Sequence, residues 1–170
     1  MKLSMNIKTI VISFAVLTSL FLIYYGITKY EQARLQYYTK NTNDKAKLEN
    51  EILVYKEPTC QCCGGWINYL KNNGYKVKTE TTTNIEEIKN KFNIPQRLRS
   101  CHTAVVGKYI IEGHVPLPAI EKLLNEKPDI LGIALPGMPA GSPGMGGLKQ
   151  QTFTIYSFTE NNKIERFIEL

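Results

Sequence analysis

After residue 50 this chain has no cluster of lysine and arginine, the feature that a nucleic-acid backbone would require. The formal net charge of +6 over 170 residues comes mainly from the first 50, which carry 7 Lys and Arg against 3 Asp and Glu, whereas residues 51–170 carry 14 against 12. The near balance of the longer part argues against a nucleic-acid surface. A phosphate cradle is also missing, because no Gly-Lys-Ser/Thr follows the glycine-rich stretch at residues 135–148. Cysteine is scarce and unevenly spread: of four in the chain, three lie within four positions. At 43% hydrophobic residues the composition is neither disordered nor collagenous, and the length suits one ordinary domain with an appendage.

Charge is absent from Thr9 to Thr28, 20 residues in all. Roughly 20 apolar residues are what an α-helix needs to cross a bilayer, so the sequence predicts one N-terminal transmembrane helix within residues 1–28. A cleaved signal would have a shorter apolar core and a small-x-small site, whereas Tyr24-Tyr25 and charged residues follow here. An uncleaved signal-anchor is therefore expected, in the inner or cytoplasmic membrane, with the C-terminal domain facing the periplasm or cell exterior. Residues 29–50 are polar and read as a tether. Residues 51–170 are the folded domain.

Within that domain the pattern alternates. Residues 52–55 are a short β-prone run ending near Pro58. Trp66, Ile67 and Leu70 have helical spacing and stop at Asn72-Asn73-Gly74. Residues 75–83 alternate as a strand, and Asn84 is placed to cap a helix over residues 85–92 with acids in its first turn and lysines in its last. Residues 103–106 and 109–112 flank Gly107-Lys108 as a tight hairpin. Pro116 opens another helix, residues 135–148 form a Gly/Pro/Met loop, and residues 152–158 and 163–168 make a terminal hairpin. The order β-α-β-α-β-β-α, with a Cys-x-x-Cys spacing at Cys60 and Cys63, is that of an α/β, thioredoxin-like domain with an added C-terminal β-hairpin.

The chemistry centres on Cys60-Gln-Cys62-Cys63-Gly-Gly-Trp66, a thiol turn between the first strand and first helix of this domain. A thiolate is both a nucleophile and a soft metal ligand, and a helix N-terminus favours it. Three uses stay open: metal binding, dithiol redox chemistry through Cys60 and Cys63, and a structural disulfide. Adjacent Cys62 and Cys63 are poor partners for each other, because neighbouring Cα atoms are ~3.8 Å apart. Cys101-His102 precedes the third strand, where a thioredoxin-like protein ordinarily has a proline facing the redox turn. His114 ends the paired strand, and Met138 and Met145 lie in a loop with little apolar periodicity. Thiolate, imidazole and thioether form a soft set that selects Cu(I). A Cys₃His zinc site is the competing reading, and it leaves Cys62 and both methionines without a role.

Four motifs, in order, carry a resemblance: Cys60-Gln-Cys-Cys-Gly-Gly-Trp66, Leu98-Arg-Ser-Cys-His-Thr-Ala-Val-Val106, Ile111-Glu-Gly-His-Val-Pro116 and Pro136-Gly-Met-Pro-Ala-Gly-Ser-Pro-Gly-Met145. Over about residues 52–146 the chain resembles the bacterial CopG-like metal-binding family, long filed as a domain of unknown function. The resemblance implies a thioredoxin-like fold, an extracytoplasmic place, Cu(I) binding, and a role in copper resistance or copper redox handling beside other extracytoplasmic copper or redox proteins. It also implies Cys60, Cys62, Cys63 and Cys101 as the thiol set, with His102, His114, Met138 and Met145 as further candidates. Two positions depart from the family pattern: Gln61 stands where glycine is common, and Tyr69 where a histidine is expected.

Overall fold

The computed structural model describes residues 16–36 and 51–170. The chain divides into two compact units, Met1–Thr42 and Asn43–Leu170. In the first unit residues 16–36 form one helix, α1. Among the described residues no helix is long and apolar enough to cross a membrane. The transmembrane helix expected within residues 1–28 is thus not supported: residues 9–15 lie outside the described part, and α1 runs on through Lys29, Glu31 and Arg34, which dilute its apolar remainder. Of the expected tether, residues 29–36 belong to this helix and residues 37–50 lie outside the described part.

The second unit is a mixed α/β fold built on one seven-stranded sheet. Its elements are β1 (Ile52–Lys56), α2 (Gln61–Asn72), β2 (Val77–Thr81), α3 (Ile85–Lys91), a 3-10 turn (Gln96–Leu98), β3 (His102–Val106), β4 (Tyr109–Glu112), α4 (Leu117–Glu126), β5 (Gly132–Ala134), β6 (Thr154–Phe158) and β7 (Ile164–Glu169). The strands lie side by side in the order β2-β1-β3-β4-β5-β6-β7. Strand β1 is parallel to β2 and antiparallel to β3, which is antiparallel to β4.

Side-chain alternation along the strands builds two apolar layers. Ile52, Val54, Ala104, Val106, Ile111, Ile133 and Ile155 face Trp66, Ile67 and Leu70 of α2 and Ala119, Ile120 and Leu123 of α4. The opposite face carries Ile110, Ala134 and Phe158 against Ile94 and Leu98. Full burial of each large apolar side chain stabilises by about 1.5–3 kcal/mol, so the Trp66 layer, the larger of the two, dominates packing. The Asn84 side chain accepts from Glu87 N, the cap expected from sequence.

Two features differ from the sequence reading. Strand β5 falls between the helix opened by Pro116 and the loop at residues 135–148, where the sequence reading assigned no element. Its Gly132 lies so close to β4 that a Cβ would meet Ile110 O at 2.3 Å and the Phe158 ring at 2.8 Å, so the position takes glycine, a residue with no β preference. Through β5 the added C-terminal hairpin continues the same sheet. Lys89, read as one of the last-turn lysines that suit the helix dipole, is fully buried.

Candidate metal centre

Topology brings the cysteines together. Strand β1 ends at Lys56, the turn Glu57-Pro-Thr-Cys60 closes with Cys60 N donating to Glu57 O at 3.2 Å, and α2 starts at Gln61. Lys56 pairs with His102 across the antiparallel β1/β3 ladder, so Cys101, one residue earlier, lies beside the thiol turn. Gly113 N donates to His102 O at 3.0 Å, which sets His114 next to Cys101. Three separate segments thus converge at one end of the sheet. The N-cap of α2 is Cys60, no side chain caps the helix, and no acid sits in its first turn, so its positive end faces the sulfurs unshielded.

Cys60 and Cys63 form a disulfide with their Cα atoms 5.5 Å apart, and Cys62 and Cys101 are free thiols. Cys62 Sγ lies 3.6 Å from Cys60 Sγ and 3.9 Å from Cys101 Sγ. Cys101 Sγ is in turn 3.0 Å from His114 Nε2 and 3.3 Å from His102 Nδ1. The ligand atoms of Cys60, Cys62, Cys63 and Cys101 all lie within 4.8 Å of one another, and so do those of Cys101, His102 and His114. Cys101 belongs to both groups and joins the turn to the histidines.

The surroundings set the protonation of each donor. His114 Nδ1 donates to Pro143 O at 2.7 Å, which leaves the Nε2 lone pair for the Cys101 thiol. Burial holds His114 below the ordinary histidine range, although the Pro143 bond opposes the shift. His102 is held well below that range, first by complete burial and then by its neighbours His114 and Lys89. Both rings are therefore neutral at neutral pH, the form that ligates metals. Burial, together with Cys62 alongside, pushes the Cys101 thiol up to about 12, so a metal there must displace a proton. The His102 ring packs against Trp66, centroids 4.5 Å apart, and edge-on to His114 at 4.9 Å. Its Nε2 is buried without a hydrogen-bond partner. Trp66 is fixed in turn by Nε1 donating to Val115 O at 3.0 Å.

The donor set fits a soft metal. It is sulfur and neutral imidazole with no carboxylate in either group, the combination that favours Cu(I) or zinc over hard cations. Of the methionines offered by the sequence, Met138 is exposed and Met145 half-buried. The loop that carries them docks on α2: a Cβ on Gly144 would meet Trp66 N at 2.3 Å, and one on Gly65 would meet Gly144 O at 2.7 Å. This close backbone approach holds Gly144 on Gly65 and Trp66 of α2, and the preceding Pro143 carbonyl accepts from His114. Met138 lies six residues before that contact, in a left-handed conformation with φ 51°.

Three participants lay outside the sequence reading. Lys89 Nζ, from α3, bonds Glu112 Oε1 at 2.5 Å and Thr103 Oγ1 at 3.1 Å. Glu112 also accepts from Ser100 N at 2.6 Å and Thr103 Oγ1 at 2.6 Å, so this buried network grips the chain on both sides of Cys101-His102. Burial raises the Glu112 carboxyl, and Lys89, Thr103 Oγ1 and Ser100 N oppose that rise. An acid within the apolar run 109–112 was the available signal. The Pro143 carbonyl had none, because a backbone atom leaves no trace in residue type. Tyr69, at the position where a histidine is expected, uses its hydroxyl to accept from Leu117 N at 3.1 Å and so caps the first turn of α4.

Fold and site together define a mixed α/β domain with a cysteine and histidine cluster able to hold a metal. The chain belongs to the CopG-like copper-resistance family. It is 36% identical to a solved structure titled copper resistance protein copG, form 2, over 71% of this chain and 98% of that one, with a TM-score of 0.67. Form 1 of the same protein matches at 36% identity over 71% of this chain and 96% of that one, with a TM-score of 0.66. Residues 98–145 match the family described as a protein of unknown function, DUF411. No curated protein matches the chain.

Proposed function

We propose that this chain is an extracytoplasmic Cu(I)-binding protein of copper resistance, and that the Cys60-x-Cys62-Cys63 turn holds the metal together with Cys101. The carrying observation is the approach of all four sulfurs to within 4.8 Å at the open end of α2, with two neutral imidazoles on the far side of Cys101. Two solved relatives named for copper resistance support copper as the cargo. Copper is preferred to zinc as the cargo because both solved relatives are named for copper resistance and a set of thiolates and neutral imidazoles suits Cu(I). Full use of the thiol set requires reduction of the Cys60–Cys63 disulfide. Met138 and Met145 are proposed as outer thioether contacts on the covering loop.

The domain is read as thioredoxin-like from its strand order β2-β1-β3-β4 and from the dithiol at the β1–α2 junction. A disulfide there also agrees with an oxidising compartment, and the uncharged residues 9–28 are read as the segment that directs export. Metal analysis of the full chain purified from copper-supplemented cells tests the cargo. Copper in excess of zinc is expected, and zinc alone would overturn the reading. Alkaline phosphatase fused after Leu170 tests location, with activity expected only if the domain leaves the cytoplasm.

A second reading has its own observation. The Cys60–Cys63 disulfide on a helix N-terminus is the arrangement of a thiol–disulfide oxidoreductase. Catalysed reduction of a model disulfide, abolished by Cys60→Ser, would favour it over simple metal storage.

A further inference from the structure

The sheet ends in β2 on one side and in β7 on the other. Strand β2 (Val77–Thr81) is exposed from Lys78 through Thr81. Its inner edge is taken up by β1: Ile52 N donates to Lys76 O at 2.8 Å, and Thr82 N donates to Lys56 O at 2.9 Å. A strand residue turns its N–H and C=O toward the same neighbour, and the side alternates at each step along the chain. The unbroken register from Ile52↔Val77 to Lys56↔Thr81 therefore gives β1 the main-chain groups of Lys78 and Glu80. Those of Val77, Thr79 and Thr81 point outward, and no strand among the described residues pairs with them.

Charge decides which strand this edge accepts. Charged side chains on an edge ordinarily keep other strands away. Lys78-Thr79-Glu80, however, is its own complement when reversed, because two copies laid antiparallel about Thr79 set each Lys78 against the other copy's Glu80. Both side chains lie on one face of the strand, with Lys78 Nζ 3.7 Å from Glu80 Oε1, and both are exposed. We propose that two copies of this chain pair through β2, antiparallel and centred on Thr79, joining their sheets edge to edge. In that register Thr79 faces Thr79 and Val77 faces Thr81 as hydrogen-bonded pairs, which uses every outward main-chain group of the strand. Lys78 and Glu80 fall in the intervening pairs, where side chains come closest. Strand β7 lacks this symmetry: paired antiparallel about Phe167, it would set Glu165 against Glu169, like charge on like. With five residues a side the contact is small, so the dimer is reversible and depends on concentration.

The test uses the full chain in sedimentation equilibrium over a concentration series, and a monomer–dimer equilibrium is expected. Thr79→Pro removes an outward N–H and no bond to β1, so it should shift the chain to monomer while the thermal midpoint holds. Lys78→Glu and Glu80→Lys each turn both cross-strand pairs into like-charge pairs, and each should raise the dimer dissociation constant by roughly tenfold. The double exchange restores opposite charges and should bring the constant back to within about threefold of the parent. Thr79→Cys treated with diamide should give a covalent dimer whose linked peptides map to position 79, because hydrogen-bonded antiparallel residues have Cα atoms about 5.5 Å apart, inside the disulfide range. A parent chain that stays monomeric at every concentration would overturn the proposal. So would a dimer that Thr79→Pro leaves intact, or a double exchange that dimerises no more tightly than either single one.

Discussion

His114 Nε2 lies 3.0 Å from Cys101 Sγ, and the same ring is pinned on its other side by Nδ1 donating to Pro143 O at 2.7 Å. The histidine, which the sequence places at the end of a strand, is fully buried and held between a thiol and a backbone carbonyl. Replacing it removes an imidazole donor and the contact that orients Cys101. His114→Ala is expected to weaken Cu(I) binding by roughly tenfold to a hundredfold, the usual cost of losing an orienting partner. Competition against a chromogenic chelator measures it.

Glu112 and Lys89 make a fully buried ion pair that also holds Ser100 N and Thr103 Oγ1. Removing one partner strands the other in the interior, which costs about 3–5 kcal/mol. Lys89→Met alone and Glu112→Gln alone should each lower the unfolding free energy by that order, measured by urea denaturation. The double variant should be less destabilised than the sum of the two singles. Strict additivity in the cycle would show that the pair is not coupled.

Gly144 adopts φ +82° and leaves no room for a Cβ against Trp66 N. Gly144→Ala must push the covering loop off α2, at a cost of about 1–3 kcal/mol. The Pro143 carbonyl would move away from His114 with it. A lower thermal midpoint together with weaker Cu(I) binding is expected; an unchanged affinity would separate the loop from the metal site.

Tyr69 caps α4 through its hydroxyl and takes no part in either ligand group. Tyr69→Phe should therefore cost about 0.5–1.5 kcal/mol in stability, the net worth of one hydrogen bond, and leave copper affinity within about twofold. A large loss of affinity would give this position a metal role.

Much of this architecture was legible because it is local. Asn84 is a cap by residue type, Gly107-Lys108 a tight turn by composition, and Trp66, Ile67 and Leu70 a helix face by spacing. The thiol turn was legible for the same reason, since three cysteines in four positions need no tertiary information. What escaped was set by packing. Gly132 is a strand residue only because β4 and β6 close around it, and Lys89 is buried only because Glu112 and Thr103 await it across two elements. Pro143 acts through a carbonyl that its residue type does not announce. The apolar run at residues 9–28 shows the reverse case: it reads as a span, yet α1 over residues 16–36 extends into charge.

The central claim is tested most directly by anaerobic titration of the fully reduced chain with Cu(I), against a competing chromogenic chelator, in the parent chain and in Cys62→Ser and Cys101→Ser. The account predicts tight binding in the parent and a loss of at least tenfold in each variant, because the two sulfurs lie 3.9 Å apart within one cluster. Weak binding in the parent chain, or affinity unchanged by both substitutions, would contradict it.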